Sequence, residues 1–339
     1  MDVANPVDEK SALSLLECRA QEVANHLGTV SEMSFEAARN ALVGRVLVTG
    51  IGGSAGPARL LAWLSSQRQG VHARYVPMSG FTSDNAPVGD TLVVFSQYLS
   101  PNATLVLKAA SHFRRVVLVT SVPPNSNPLQ SLLTHEQTVI VHLPPADEKG
   151  LFLRVIGPTV ATLFAIQVTC GPLGRSEFGE LYKALCSAGE RALAAAAEVS
   201  SDSLRGALAF VFSGADPSVF QGLVWKWMEG LRCAQPWAWD ALELAHGPVQ
   251  SVRGGMPWVV FTQPDSPTGD LTERVHRVLV SNHQVPVFLR SELPFPISIL
   301  DHDAQLNALL LRVLKDCPLD LRSSALAVFD EPLYGLGRS

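Results

Sequence analysis

Apolar residues recur at helical spacing from about residue 8 to residue 43, then change period. "SALSLLECRAQEVANHL" and "SFEAARNALVG" carry the three-to-four-residue repeat of amphipathic helices, the second closing on Gly44. From Arg45 onward short apolar blocks take over: "RVLVTG", "VHARYVP", "DTLVVFS", "RVVLVTS" and "TVIVHLP". Between most of them lie helix-length segments, "PARLLAWLSSQ", "PNATLVLKAASHF" and a weaker one near "NPLQSLLTH". Short strands alternating with helices predict β-α-β units, hence a parallel sheet covered on both faces. The long apolar segment "GLFLRVIGPTVATLFAIQV" closes this half.

A Gly- and Pro-rich stretch, "TCGPLGRSEF", separates that half from a second one. The alanine-rich "LYKALCSAGERALAAAAEVS" predicts a strong leading helix. The alternation then restarts with "ALAFVFSG", helix "PSVFQGLVWKWMEGLRC", strands near "QPWAW" and at "MPWVVFT", and helix "GDLTERVHRVLV". "QVPVFLR", a short block at "PISIL" and helix "DAQLNALLLRVLK" complete it. The expectation is an α/β chain with N-terminal helices over 1–44, a first doubly wound domain over 45–172 and a second over 173–339.

Composition agrees with buried layers. The 339 residues exceed what one core usually holds, and 47% are hydrophobic against 17% charged. A formal charge of −5 gives no basic surface for nucleic acid or an anionic membrane. No apolar run reaches the roughly 18 residues of a membrane span. Five scattered cysteines (Cys18, Cys170, Cys186, Cys233, Cys317) without a C-x-x-C pair point to reduced thiols, and the polar start "MDVANPVDEK" is unlike a signal peptide. A cytoplasmic protein is expected.

The most chemical-looking stretch is "VTGIGGSAGPARLL", residues 48–61, which fits three descriptions. A dinucleotide site needs an acidic residue about 20 residues on, ending the second strand. Here that strand ends in Val76, Pro77 and Met78, with no acid before Asp84. A G-x-S-x-G nucleophile elbow follows several earlier strands in an α/β-hydrolase, whereas only helices precede this one. Its imagined triad partners, Asp301 and His302, are adjacent in sequence. An anion cradle asks less: Gly52 and Gly53 bring backbone amides close, Ser54 adds a hydroxyl, and a helix N-terminus follows. A plain strand-to-helix turn would use the same glycines.

The third strand runs into a second polar loop, "VVFSQYLSPNATLVL". Ser96 and Gln97 leave the strand, Ser100 suits an N-cap, Pro101 the first helical turn, and Asn102 follows. Both loops therefore stand at carboxyl ends of adjacent strands, where open α/β sheets bind ligands.

In these loops the chain resembles the sugar isomerase (SIS) domain family, with its G-x-x-S loop and its strand–S-x-S-G-x-T–helix loop. Two tandem copies are similar to the isomerase half of glucosamine-6-phosphate synthase, whose second loop reads S-Q-S-G-E-T. Ser54, Ser96 and Gln97 match; Tyr98, Leu99, Ser100 and Pro101 replace S-G-E-T. In the second half "VWKWMEGL" and "ALELAHGPVQ" resemble the family's K-x-x-E helix and E-L-K-H-G-P segment. Lys226, Glu229, Glu243, His246, Gly247 and Pro248 match, with Ala245 where lysine is usual.

The resemblance implies two flavodoxin-like SIS domains without a glutaminase domain, and a small sugar phosphate or sugar-amine conjugate as ligand. It places the isomerising base on Glu229 and the ring-opening histidine on His246, reaching a neighbouring subunit's site, so a homodimer is expected. Glu148, after the fifth strand, matches a ligand-facing acid of the family. No metal or organic cofactor is implied. After Lys315 the chain has no lysine, so the tail lysine of the synthase has no counterpart.

The chemistry stands without the name. Aldose–ketose isomerisation or deglycase cleavage needs ring opening and proton transfer between adjacent carbons, which a carboxylate and a histidine can supply. Lys226, one turn before Glu229, could hold a developing oxyanion; a surface ion pair explains the spacing too. Glu243 and His246 could equally form a helix-end cap before Gly247. Trp225, Trp227, Trp237 and Trp239 fit core or interface packing better than sugar stacking. Two other readings stay open: a SIS-type sensor that does not turn over its ligand, and a diverged enzyme of specialised metabolism with a non-phosphorylated or non-sugar substrate.

Overall fold

The computed structural model describes residues 9–81, 87–123, 125, 126, 129, 137–144, 148, 151–251, 256–264 and 270–322. The chain divides into two compact units with the break between Leu173 and Gly174. The first helix, α1 (Glu9–Ser31), is split at Ala24/Asn25, its first part grouping with the second unit and its remainder with the first. Arg322 groups with the first unit, where it pairs in a β-bridge with Leu151. No described helix is long and apolar enough to cross a membrane.

The first unit holds α2 (Glu36–Ala41), β1 (Gly44–Gly50), α3 (Ala55–Ser66), β2 (Val71–Tyr75), β3 (Thr91–Phe95), α4 (Pro101–Lys108), β4 (Arg115–Thr120), β5 (Thr138–His142) and α5 (Ile156–Cys170). Its five strands are all parallel in the order β2-β1-β3-β4-β5. Burial follows position: every residue of β3 is buried, whereas edge strand β2 alternates between buried and open. That is why "LVVF" reads as a continuous apolar run and "VHARY" does not. Helix α3 is lined with small residues, Ala55, Gly56, Ala58 and Ala62 among them, all buried. They let it lie close on the sheet and on α5, most of whose residues are buried as well. The weak helix expected near "NPLQSLLTH" lies almost wholly outside the described residues.

The second unit contains α6 (Arg175–Ala195), α7 (Ser201–Arg205), β6 (Ala209–Phe212), α8 (Gln221–Leu231), β7 (Trp237–Asp240), α9 (Pro248–Ser251), β8 (Pro257–Thr262), α10 (Leu271–Ser281), β9 (Val285–Arg290) and α11 (Ser298–Asp316). Its sheet is parallel, ordered β7-β6-β8-β9. Central strands β6 and β8 are wholly buried and edges β7 and β9 are not. In the core Phe212 stacks on Phe220 (4.2 Å, nearly parallel) and on Phe261 (4.8 Å), and Phe210 meets Phe212 and Phe261 edge-on.

One element differs from expectation. The apolar block "PISIL" is no strand; Ser298, Ile299 and Leu300 open α11. The block is too short to establish a period, and the helical pattern of "DAQLNALLLRVLK" simply extends back through it.

Candidate functional site in the first unit

In the order β2-β1-β3-β4-β5 the chain reverses direction between β1 and β3. A crevice opens there at the carboxyl ends of the strands. Three segments line it: residues 51–54 after β1, 96–102 after β3, and 154–158 at the start of α5.

The first segment leaves β1 through extended Ile51 and turns at Gly52, whose φ of +55° favours glycine. Gly53 lies directly against α5: a Cβ there would come within 2.8 Å of Pro158 Cγ. Ser54 donates its backbone N–H to Ile51 O (3.1 Å), and its hydroxyl is engaged by no described residue. Behind the loop Tyr75 donates its hydroxyl to Gly50 O (2.9 Å), with the Arg59 guanidinium 4.1 Å from its ring centre. Burial pushes the phenol above its usual range while Arg59 pulls the other way, so the hydroxyl stays a donor.

The second segment is a closed hydrogen-bonded turn. Ser96 Oγ accepts from Ser100 N (3.0 Å), and Ser100 Oγ caps α4 by accepting from Ala103 N (3.3 Å). Leu99, at the position where the resembled motif has glycine, keeps a left-handed backbone (φ +55°). Its side chain packs on the cluster of Val94, Ala103 and Leu107, which holds the turn without glycine. Asn102 is half-buried in the first turn of α4.

Gln97 joins this loop to the third segment. Its amide nitrogen donates to Tyr98 Oη (3.2 Å) and Glu148 Oε2 (3.3 Å), and its amide oxygen accepts from Arg154 (3.4 Å). A Cβ on Gly157 would fall 2.3 Å from that amide, so glycine is what admits Gln97. Glu148, with no exposed surface, accepts from the backbone N–H groups of Val155 (2.6 Å), Ile156 (2.8 Å) and Gly157 (2.9 Å). It thus neutralises the positive end of α5. Arg154 lies with its guanidinium carbon 4.3 Å from the Tyr98 ring centre.

The remaining predicted residues stand in the second unit. Lys226, on α8 and 5% exposed, forms a buried ion pair with Asp303 of α11 instead of with Glu229. Glu229 is half-buried one turn further along the same helix. Glu243 and His246 begin and end the exposed turn after β7, where Glu243 accepts from Asp240 N (3.4 Å). Gly247 follows at φ +129°. Trp227 is fully buried and Trp225 and Trp239 partly so, while Trp237 is 50% exposed.

Sequence reasoning passed over Arg154, Gly157 and a repeat. "LVVFSQ" (92–97) and "WVVFTQ" (258–263) both end a central strand in hydroxyl–glutamine, and both meet Ser-Pro three residues on. In each unit that glutamine reaches the start of the last helix: Gln97 packs on Gly157, and Gln263 accepts from Ser298 Oγ (2.9 Å). A left-handed glycine also stands two residues beyond β1 and β6, Gly52 and Gly214 (φ +86°). Where the first unit then has Ser54, the second has Asp216, its carboxylate capping Ser218 N (2.7 Å). The second unit also buries an ionisable cluster at the start of α11. Arg191 pairs with fully buried Asp301, and His302 Nε2 is 3.1 Å from the carbonyl of Thr262, at the end of β8.

Two parallel doubly wound sheets, with glycine–serine and serine–glutamine loops at the first unit's reversal point, define an α/β protein of the sugar isomerase (SIS) fold. Solved structures agree. The chain is similar to the C-terminal domain of glucosamine-fructose-6-phosphate aminotransferase from Francisella tularensis (TM-score 0.68, 15% identity, covering 91% of this chain and 97% of that one). Glucosamine-6-phosphate deaminase from Thermotoga maritima gives a TM-score of 0.66 at 14% identity over 91% of this chain and 95% of that one. Tagatose-6-phosphate ketose/aldose isomerase from Escherichia coli gives 0.63 at 13% over 94% and 97%. At these identities the likeness is one of fold. No family model matches the sequence, and no curated protein matches it.

Proposed function

We propose that this chain is an isomerase- or deglycase-type enzyme for a small sugar phosphate or sugar-amine conjugate. The observation that carries the reading is the first unit's crevice, where Ser54, Ser96 and Gln97 line the carboxyl ends of β1 and β3 beside the guanidinium of Arg154. Proteins of this fold named for aminotransferase, deaminase and isomerase work on hexose phosphates support the substrate class. In this reading Glu229 moves the proton between adjacent carbons, His246 shuttles the ring-oxygen proton, and the chain works as a homodimer. Lys226 is engaged by Asp303, so its part is to fix α8 and thereby Glu229.

Solvent deuterium exchange into phosphohexoses tests the assignment. The expected outcome is exchange by the native protein and a loss of at least about a hundredfold in Glu229→Gln, the low end of general-base contributions. Undiminished exchange in that variant removes Glu229 from the role. Binding with no exchange in the native protein turns the reading to a sensor, which the engagement of Lys226 by Asp303 favours.

A further inference from the structure

Several backbone amides around this crevice are already occupied. At α5, Val155, Ile156 and Gly157 all donate to Glu148, and Pro158 has no N–H. At α4, Pro101 has none, Ala103 donates to Ser100 Oγ, and Thr104 donates to Ser100 O. Ser100 N itself is taken by Ser96 Oγ, and Ser54 N by Ile51 O. What stays available includes the hydroxyl hydrogens of Ser54, Ser96 and Ser100, the backbone N–H groups of Gly52 and Gly53, and the guanidinium of Arg154. An anion entering here also approaches the carboxylate of Glu148, one hydrogen bond behind Gln97. Uncharged donors do not offset that repulsion as a cation does.

Arg154 is mounted for this task. Its guanidinium stacks on Tyr98, donates one N–H to Gln97, and forms no ion pair among the described residues. Stacking and one amide contact fix the plane of the fork and leave its other N–H groups free for a bidentate partner. Tyr98 is also the first of the four residues at which the loop departs from the S-Q-S-G-E-T pattern, so the departure begins where the cation lies.

We propose that Arg154 recognises the oxyanion of the ligand, a phosphomonoester or carboxylate on a small polyol, and that Tyr98 positions it. This rests on the reading of the crevice as the sugar-binding site. Calorimetric titration with a phosphohexose, the matching hexuronate and the uncharged hexose tests it. Native protein is expected to prefer one of the two anionic sugars over the hexose. Arg154→Gln should lose about tenfold to a hundredfold of that affinity, with hexose binding unchanged. Arg154→Lys should recover part of the loss, and Tyr98→Ala should lose about tenfold. Which anionic sugar binds tells phosphate from carboxylate. Native affinity for the anionic sugar in Arg154→Gln overturns the proposal and leaves the crevice reading standing. Absence of binding of all three sugars to the native protein overturns both.

Discussion

Single atoms decide how the crevice is built. Gly157 has no side chain because the Gln97 amide occupies the space a Cβ would need. In Gly157→Ala the glutamine must swing away, a cheap motion for a flexible side chain, while alanine favours the helix. Stability should therefore change by less than about 1 kcal/mol. Phosphohexose affinity should fall about tenfold or more, because Gln97 no longer braces Arg154. A calorimetric titration beside a thermal melt separates the two effects. Glu148 behaves oppositely. An amide in its place offers one acceptor oxygen to three buried N–H groups and no charge to the helix end. Glu148→Gln should cost about 2–3 kcal/mol in denaturant unfolding, whether or not ligand is present.

At the scale of elements, the first turn of α11 is the place where charge is buried. Asp301 pairs with Arg191 and Asp303 with Lys226, while His302 between them is fully buried. A carbonyl only accepts, so Nε2 carries the proton donated to Thr262 O. Burial, with a smaller push from Arg191, lowers the His302 pKa to about 4; Asp301 and the Thr262 bond pull weakly upward. The unfolded chain takes up a proton near pH 6.5 that the native state refuses until about pH 4. The stabilisation is therefore fully present above pH 6.5 and lost as pH falls toward 4, about 3 kcal/mol in all. Urea midpoints at pH 7 and 4.5 should show the loss, and His302→Gln should flatten it. An equal loss in that variant assigns the slope to other groups.

For the whole molecule the expectation concerns copies of the chain. The resemblance puts His246 in a neighbouring subunit's site, and His246 stands exposed in its turn. Sedimentation should give a dimer. Mixing His246→Ala with Glu229→Gln chains should restore exchange that neither shows alone, up to about a quarter of native activity with random pairing. A monomer, or mixed chains as inactive as their parents, removes the shared site.

Much of this was legible along the chain because strand burial leaves a local signature. "LVVF", "VVLV" and "WVVF" are apolar throughout since both sheet faces are covered, and glycine with serine marks the turns. The SIS loops could be placed at Ser54 and Ser96 on that basis. Glu148 was visible as a polar residue after β5, yet nothing nearby in sequence told that it reaches forward to cap α5. Lys226 and Glu229 suggested an i, i+3 pair, and the partner Lys226 takes is 77 residues away.

The sequence by itself determined the alternation of strands and helices, its restart after the Gly/Pro stretch, and the loops that leave the strand ends. These follow from period, propensity and turn chemistry, which act over a few residues. Only the tertiary structure decided which polar groups are used up and which remain. It closed the N-terminus of α5 with Glu148, pinned Lys226 to Asp303, seated Leu99 where glycine was expected, and set Arg154 on Tyr98. Such pairings join residues brought together by sheet order and helix packing, and no local pattern records them.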